Sequence, residues 1–494
     1  MLNLTSVQST WIGIDIGTTN VKAVAFDENG SAVAHATGTC VTYHPRNRFV
    51  EQNPDEIYRL FVHVLRQVTE QLRHKNATIE AVSLCSAMHS VIPLDAHNHR
   101  LTRSVLWADN RSEAQADALK QADIFPKLYS HTGIPAHPYA PLTKMVWFRQ
   151  TQPQLFKRIQ RFVSQKEYIW FNLFGKFQID YSMASGTSLL NNRRLKWSEM
   201  ALAYTGIKAT QLSEAVPTYH IEKLTNPSLC RKLGLRSGTP FVIGAGDACL
   251  ANLGSGALAK GVSTLTIGTS GAIRQTAATP ARDEKRRLFT YVLDETHFVS
   301  GGPTNNGGNV LEWLSKHLLL KDPNELLVLA ENAPPGAEDL LFVPYLLGER
   351  APVWDAHARG SYRNLSWQHT QAHLVRATIE GIVLNLNQTR QIIDNQLSKT
   401  QILHANGGFT QSKFWVQLLA DIFGIAVKVN QSGESGCLGA IMLAMKALEK
   451  IESLEKGVQN CVHFAETYHP DPSNRLIYRK VNKNFGKLIA PTKA

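Results

Sequence analysis

The stretch "WIGIDIGTTNVKAVAFDENG", residues 11–30, sets a carboxylate, Asp15, inside an otherwise apolar run, turns at Gly-Thr-Thr and returns through a second apolar run. The stretch "STLTIGTSGAIRQTA", residues 263–277, repeats the construction with Gly268-Thr269-Ser270-Gly271 at its turn. Strand-length apolar runs bounded by turn residues read as β-hairpins. A hairpin of one kind recurring in each half predicts two similar halves that face one another across a cleft.

Length agrees with more than one core. The chain has 494 residues, 43% hydrophobic and 19% charged, too many for a single compact domain. The opening "MLNLTSVQST" has neither a basic nor an apolar leader region, and no later run stays apolar for the roughly 18 residues a membrane span needs. The expectation is a soluble, cytoplasmic protein. Six cysteines stand without any CxxC pair, so free thiols are expected rather than a disulfide framework or zinc knuckle. The net charge of +12 comes from basic residues interspersed with acids, which favours small anionic ligands over nucleic acid or a membrane. The basic run "RLIYRKVNKNFGK" near the C-terminus is expected to be a solvated face.

At the first turn, Gly17 allows close backbone approach while Thr18 and Thr19 offer hydroxyls and amides to phosphate oxygens. Asp15 beside such a turn suits Mg²⁺, which takes a few carboxylates together with substrate phosphates; capping of the turn is the structural alternative. Lys22 adds a positive charge nearby. No GxxxxGK[ST] run occurs, and no GxGxxG opens a helix after a strand, which excludes Walker and Rossmann nucleotide sites. In "TPFVIGAGDACLANLGSG" a strand delivers Asp247 to a turn of small residues, Gly244, Gly246 and Ala248, expected to let a ligand approach. Phosphoryl transfer to an alcohol needs one acid to accept the hydroxyl proton, and Asp247 is the candidate, with capping of the following helix as its structural alternative.

The stretches "GIDIGTTNVKAVAFD", "YAPLTKMVWFRQ", "GAGDA", "TIGTSGA", "GERAPVWD", "HLVRATIEG" and "NGGFTQSKFWVQLLADIFG" occur in an order that resembles the FGGY carbohydrate kinases over nearly the whole chain. The resemblance implies an α/β protein of two ribonuclease H-like, actin-like ATPase domains, 1–254 and 255–494, with the active site between them. The first would hold sugar, the first phosphate hairpin and the catalytic Asp247; the second would hold nucleotide. Gly- and Ala-rich "LANLGSGALAKGVS" is expected to form the hinge.

Within the family, "CSAMHSVIPLD", "LWADNRS", "TGIPAHPYAPLTK", "GGPTNNGGNVLEWL" and "YLLGERAPVWD" are most similar to members that act on gluconate. That implies ATP and Mg²⁺, the metal at Asp15 and Asp247, and a sugar acid substrate with no nucleic acid or membrane partner; a homodimer stays open. Substrate contacts are expected from Met88, His89, Trp107, Asp109, Asn110, Arg111, Asn306 and Arg350, with Met88-His89 and Trp107 to Arg111 at strand ends. Arg111, Lys144 or Arg350 would pair with the carboxylate. Nucleotide contacts are expected from Thr18, Thr19, Asn20, Lys22, Gly268, Thr269, Ser270, Gly308, Glu312, Gly407, Gly408 and Ser412, with Glu434 and the helix after it behind them. Two departures stand out: Asn364 replaces a signature Gly where left-handed backbone is needed, and Ala248 replaces an amide that touches sugar in some relatives. Xylulose or a related polyol is the alternative substrate, and an actin-like ATPase without a sugar the alternative class.

Overall fold

The computed structural model describes residues 8–489; most of the opening segment read above lies outside them. The first sheet contains β1 (Ser9–Ile16), β2 (Asn20–Phe26), β3 (Ala32–Thr39), β4 (Thr78–Ser86), β5 (Ile221–Leu224) and β6 (Thr239–Gly246), in the order β5-β6-β4-β1-β2-β3. β1 and β2 form the expected antiparallel hairpin, with Asp15 opposite Lys22. β4 runs parallel to β1, and β6 parallel to β4, so the carboxyl ends of all three share one edge. Helix α1 (Pro54–His74) covers one face, where Ile12, Ile14, Val82, Leu84, Phe61 and Val64 form a core. Side chains alternate along a strand, so Trp11, Gly13 and Asp15 lie on the opposite face. Helix α2 (Asp247–Gly254) follows directly on β6.

The second sheet contains β7 (Val262–Ile267), β8 (Gly271–Ala277), β9 (Phe289–Val292), β10 (Phe298–Thr304), β11 (Ile402–Asn406), β12 (Ala426–Asn430) and β13 (Phe464–Tyr468), in the order β9-β10-β8-β7-β11-β12-β13. Again an antiparallel hairpin, β7-β8, continues into two strands parallel to its first. The series β3-β2-β1-β4-β6 and β10-β8-β7-β11-β12 therefore share one topology, that of the ribonuclease H-like fold found in actin-like ATPases.

The short helix α3 (Gly308–Trp313), the long α4 (Gln371–Gln396) and α5 (Lys413–Phe423) pack in this half, as does α7 (Arg475–Ile489); α6 (Ser435–Ala447) lies between α5 and α7 in the chain. Helix α5 ends at Gly424 in left-handed conformation, as a C-terminal stop requires. Asn364 takes φ +64°, the conformation expected of it. Helix α7 keeps the basic residues of the tail on the expected solvated face and adds a buried one. Tyr478, Val481 and Phe485 are buried against α4 and α5, and the Tyr478 hydroxyl joins the buried Arg376–Glu380 pair. Arginines and lysines mark that segment, but its apolar residues recur at helical spacing on one face.

Two helices join the halves by exchange. Helix α6, late in the chain, packs on the free face of the first sheet, while Asn252 of α2 bonds Thr264 and Thr276 of the second at 2.7 Å each. Where α2 and α6 cross, their backbones touch: a Cβ on Gly254 would stand 1.9 Å from the Ser435 carbonyl oxygen, and one on Gly439 2.2 Å from that of Leu250. No helix among the described residues is long and apolar enough to cross a membrane, and all six cysteines are free.

Candidate active site

Strand register brings two carboxylates together. Asp15 of β1 lies opposite Cys85 of β4, and Gly246 of β6 lies opposite Ser86. Asp247, the next residue, thus stands across β4 from Asp15, at the first position of α2 and after its cap at Gly246. Helix α6 begins over Asp15: a Cβ on Gly13 would meet the Cys437 carbonyl oxygen at 2.3 Å, and one on Gly436 would lie 3.6 Å from Asp15 Oδ2. Asp15 Oδ1 is buried without a hydrogen-bond partner. Burial pushes the Asp15 carboxyl upward, against the pull of Cys85 and Lys22. Burial, then the charge of Asp15, raises Asp247 to about 6. Lys22 ion-pairs with Glu434 at 3.1 Å.

The small residues around Asp247 serve packing more than ligand access. Gly244 lies at a register shift with φ +68°, and a Cβ there would meet the Leu84 carbonyl oxygen at 1.9 Å. At Gly246 a Cβ would meet the Met88 side chain at 2.7 Å. Only Ala248 faces the cavity. Beneath the strand end, buried Lys166 donates to Asp180 at 2.7 Å and to the Ala245 carbonyl at 3.2 Å, while Ser182 accepts from the Gly246 amide at 3.1 Å.

A cavity of about 310 Å³ opens beside Asp247, reached by both hairpin turns through Thr18 and Ser270. Trp107, Tyr139, Phe289 and Tyr291 give it aromatic walls, and Met88, His89, Arg274 and Arg350 also line it. Trp107 donates to the Thr18 hydroxyl at 3.0 Å. β4 ends at Ser86, two residues earlier than the sequence suggested, and His89 adopts φ +71° in the turn beyond it. There His89 Nδ1 lies 2.9 Å from the Gly186 carbonyl, so Nδ1 carries the proton and Nε2 accepts from the Tyr291 hydroxyl at 3.1 Å. Burial holds its pKa at about 3 and keeps it neutral.

Four expected substrate contacts lie elsewhere. The second expected strand stops at Val105, and Trp107 to Arg111 form a turn. Asp109 is fully buried, accepting from Arg111 and from the Val50 amide; Arg111 is held between Asp109 at 2.8 Å and Glu51 at 2.6 Å, over the Phe49 ring. Both carboxylates engage Arg111, and it does not line the cavity. Asn110 is exposed and outside the cavity lining. Asn306 donates to the Gly348 carbonyl and to Glu349, a buried carboxylate also bonded by Thr304 and Asn385. Lys144 is fully buried too, donating to the His89 and Tyr139 carbonyls at 2.8 and 2.9 Å, with burial lowering it to about 7. Arg274, Tyr139, Phe289 and Tyr291 were absent from the sequence-derived set.

A second cavity, about 640 Å³, lies on the far side of the second turn. Gly268, Thr269, Gly308, Glu312, Gly408 and Ser412 line it together with Phe409, Leu327 and Trp415. The Gly308 amide donates to the Gly268 carbonyl at 2.7 Å. Gly407, at φ +110°, is pressed against the Ile267 backbone, whereas a Cβ on Gly408 would meet nothing within 4 Å. Ser412 caps α5. Thr19 is exposed on the first turn and Asn20 opens β2; neither lines either cavity.

Comparison with known proteins agrees with this architecture. Residues 10–254 match the N-terminal domain of the FGGY family of carbohydrate kinases, and residues 264–448 its C-terminal domain. A gluconokinase of Bacillus subtilis (strain 168) is 41% identical, over 97% of this chain and 95% of its own. The crystal structure of gluconate kinase from Lactobacillus acidophilus superposes with a TM-score of 0.94 at 34% identity, covering 97% of each chain. A ligand-bound xylulose kinase from the same organism superposes with a TM-score of 0.93, also at 34% identity and 97% of each chain. With both domains matched in order around two acid-bearing strand ends, the chain belongs to the FGGY family of carbohydrate kinases.

Proposed function

We propose that this kinase transfers the γ-phosphoryl group of ATP to the terminal hydroxyl of D-gluconate, giving 6-phospho-D-gluconate. The observation that carries the reading is that Asp247, Thr18 and Ser270 face one cavity, with the unpartnered oxygen of Asp15 beside it. The substrate assignment rests on the 41% identical gluconokinase; the xylulose kinase likeness is the second reading. Nucleotide lies in the cavity lined by Gly268, Thr269, Gly308, Glu312, Gly408 and Ser412, its phosphates directed toward the first.

In this reading Asp247 accepts the proton of the terminal hydroxyl. The freed oxygen attacks the γ-phosphorus in line, its new P–O bond forming as the bond to ADP breaks. Backbone amides at Thr18 and at Thr269 to Ser270 meet the charge that develops on the phosphoryl oxygens. His89, neutral and locked by Gly186 and Tyr291, offers the sugar a fixed edge. A divalent cation fits here: Asp15 Oδ1 lacks a partner, Asp247 is the neighbouring carboxylate, and Mg²⁺ accepts a carboxylate or two with phosphate oxygens. When bound it would neutralise phosphate charge. Rotation of the halves about the segment near residue 254 would exclude water from the transfer.

A side-by-side assay of ADP release with gluconate, xylulose and glycerol tests the assignment. Gluconate is expected to give the highest kcat/KM; a preference for xylulose would move the chain to the second reading, and ADP release indifferent to any sugar would remove the kinase reading.

A further inference from the structure

Resting on the sugar acid reading above, we infer that Arg274, with Arg350 beside it, is the site that holds the substrate's carboxylate. Charge balance in the cavity gives the first argument. Its charged lining residues are Asp247, Arg274 and Arg350, two cations against one acid, with His89 neutral. Both arginines line the cavity together with Tyr291, and the charge of Asp247 acts on Arg274 across it.

Bonding gives the second. Among the described residues, the Arg274 side chain makes no hydrogen bond and no salt bridge, and its Nε is buried without a partner. Arg350 commits one nitrogen to the Thr304 carbonyl at 2.8 Å and stacks near Trp107, and its Nε is likewise buried and unpartnered. A buried Nε–H on a guanidinium that lines the cavity is costly unless something supplies acceptors. A planar carboxylate supplies two, in the spacing the fork of donors matches.

Elimination gives the third. Arg111 is ion-paired with Asp109 and Glu51, Lys144 donates to two carbonyls, and neither lines the cavity. Arg274 sits on β8 of the second sheet and lines the same cavity as Asp247, which opens α2 after the first sheet's β6. An open-chain acid laid along the cavity therefore has its terminal hydroxyl at Asp247 and its carboxylate toward the two arginines on the Tyr291 wall.

The test compares D-gluconate with D-glucitol, which has a hydroxymethyl group in place of the carboxylate, in steady-state assays and by calorimetric binding to the full chain. The wild-type protein is expected to favour gluconate by about 10²-fold or more in kcat/KM. R274M is expected to lose about 10²-fold on gluconate, chiefly in KM and binding, while glucitol changes by less than about threefold. R274K, which keeps the charge but not the fork, is expected to fall between them. Equal loss on both acceptors would place Arg274 at the phosphoryl group instead, and an unchanged preference in R274M and R274K would give the carboxylate to another residue; either overturns the inference alone. A wild-type preference for glucitol would overturn the gluconate assignment as well.

Discussion

Asp15 and Asp247 stand at the carboxyl ends of two parallel strands with one strand between them, and the charge of the first adds to burial in raising the second to about 6. The pairing follows from register: one residue of slip in β1 would turn Asp15 to the α1 face.

This coupling sets a pH dependence. A base must be ionised, so kcat/KM for the acceptor is expected to rise with pH through about 6 and level above it. Replacing Asp15 by Asn removes a like charge, so the midpoint of whatever activity remains moves to lower pH. Loss of turnover on the order of 10²-fold is expected for that variant from the weakened hold on phosphate and cation. A midpoint unmoved in Asp15→Asn would separate the two carboxylates.

The same shift acts on stability. Asp247 is raised from 3.8 to about 6 on folding, so the folded state is disfavoured as pH climbs from about 4 to 6, and the full penalty is present above 6. Asp247→Asn removes the ionisable group. In metal-free buffer the variant is expected to be more stable than wild type at pH 7.5 by about 1–3 kcal/mol, with the gain fading towards pH 4. Denaturant titrations at the two pH values measure it; a variant less stable at pH 7.5 contradicts it.

Beneath the catalytic strand end, the Lys166–Asp180 pair is buried and Lys166 also bonds the Ala245 carbonyl. Asp180→Ala leaves a buried ammonium unpaired, expected to cost about 3–5 kcal/mol and to lower kcat through displacement of Asp247. Lys166→Met combined with Asp180→Leu is expected to regain most of the stability but not all of the kcat. Denaturant unfolding and steady-state kinetics on both variants check this.

What was legible in the sequence was local. The two hairpins and Asp247 showed because an acid or a Gly-Thr turn interrupts an apolar strand, and the α/β class because helical and strand periods alternate. Arg111 and Asn306 misled because their partners are distant in the chain: Glu51 lies 60 residues before Arg111, and Glu349 43 after Asn306. A polar residue in a loop looks equally free whether or not a remote carboxylate claims it. Arg274 escaped notice for the converse reason. In an alternating strand such as "GAIRQTA" a single arginine reads as the solvent-facing position, and only the tertiary fold turns that face onto the cavity. The docked face of α7 was masked in the same way by the arginines and lysines of its other face.

The claim on which the account depends is that Asp247 takes the proton of the acceptor hydroxyl. Gluconate-dependent ADP release and nucleotide binding, measured together for wild type and Asp247→Asn at pH 7.5, test it most directly. The account predicts that turnover falls by about 10³-fold or more while nucleotide affinity stays within about threefold. Turnover retained in Asp247→Asn, with gluconate as acceptor, would contradict it.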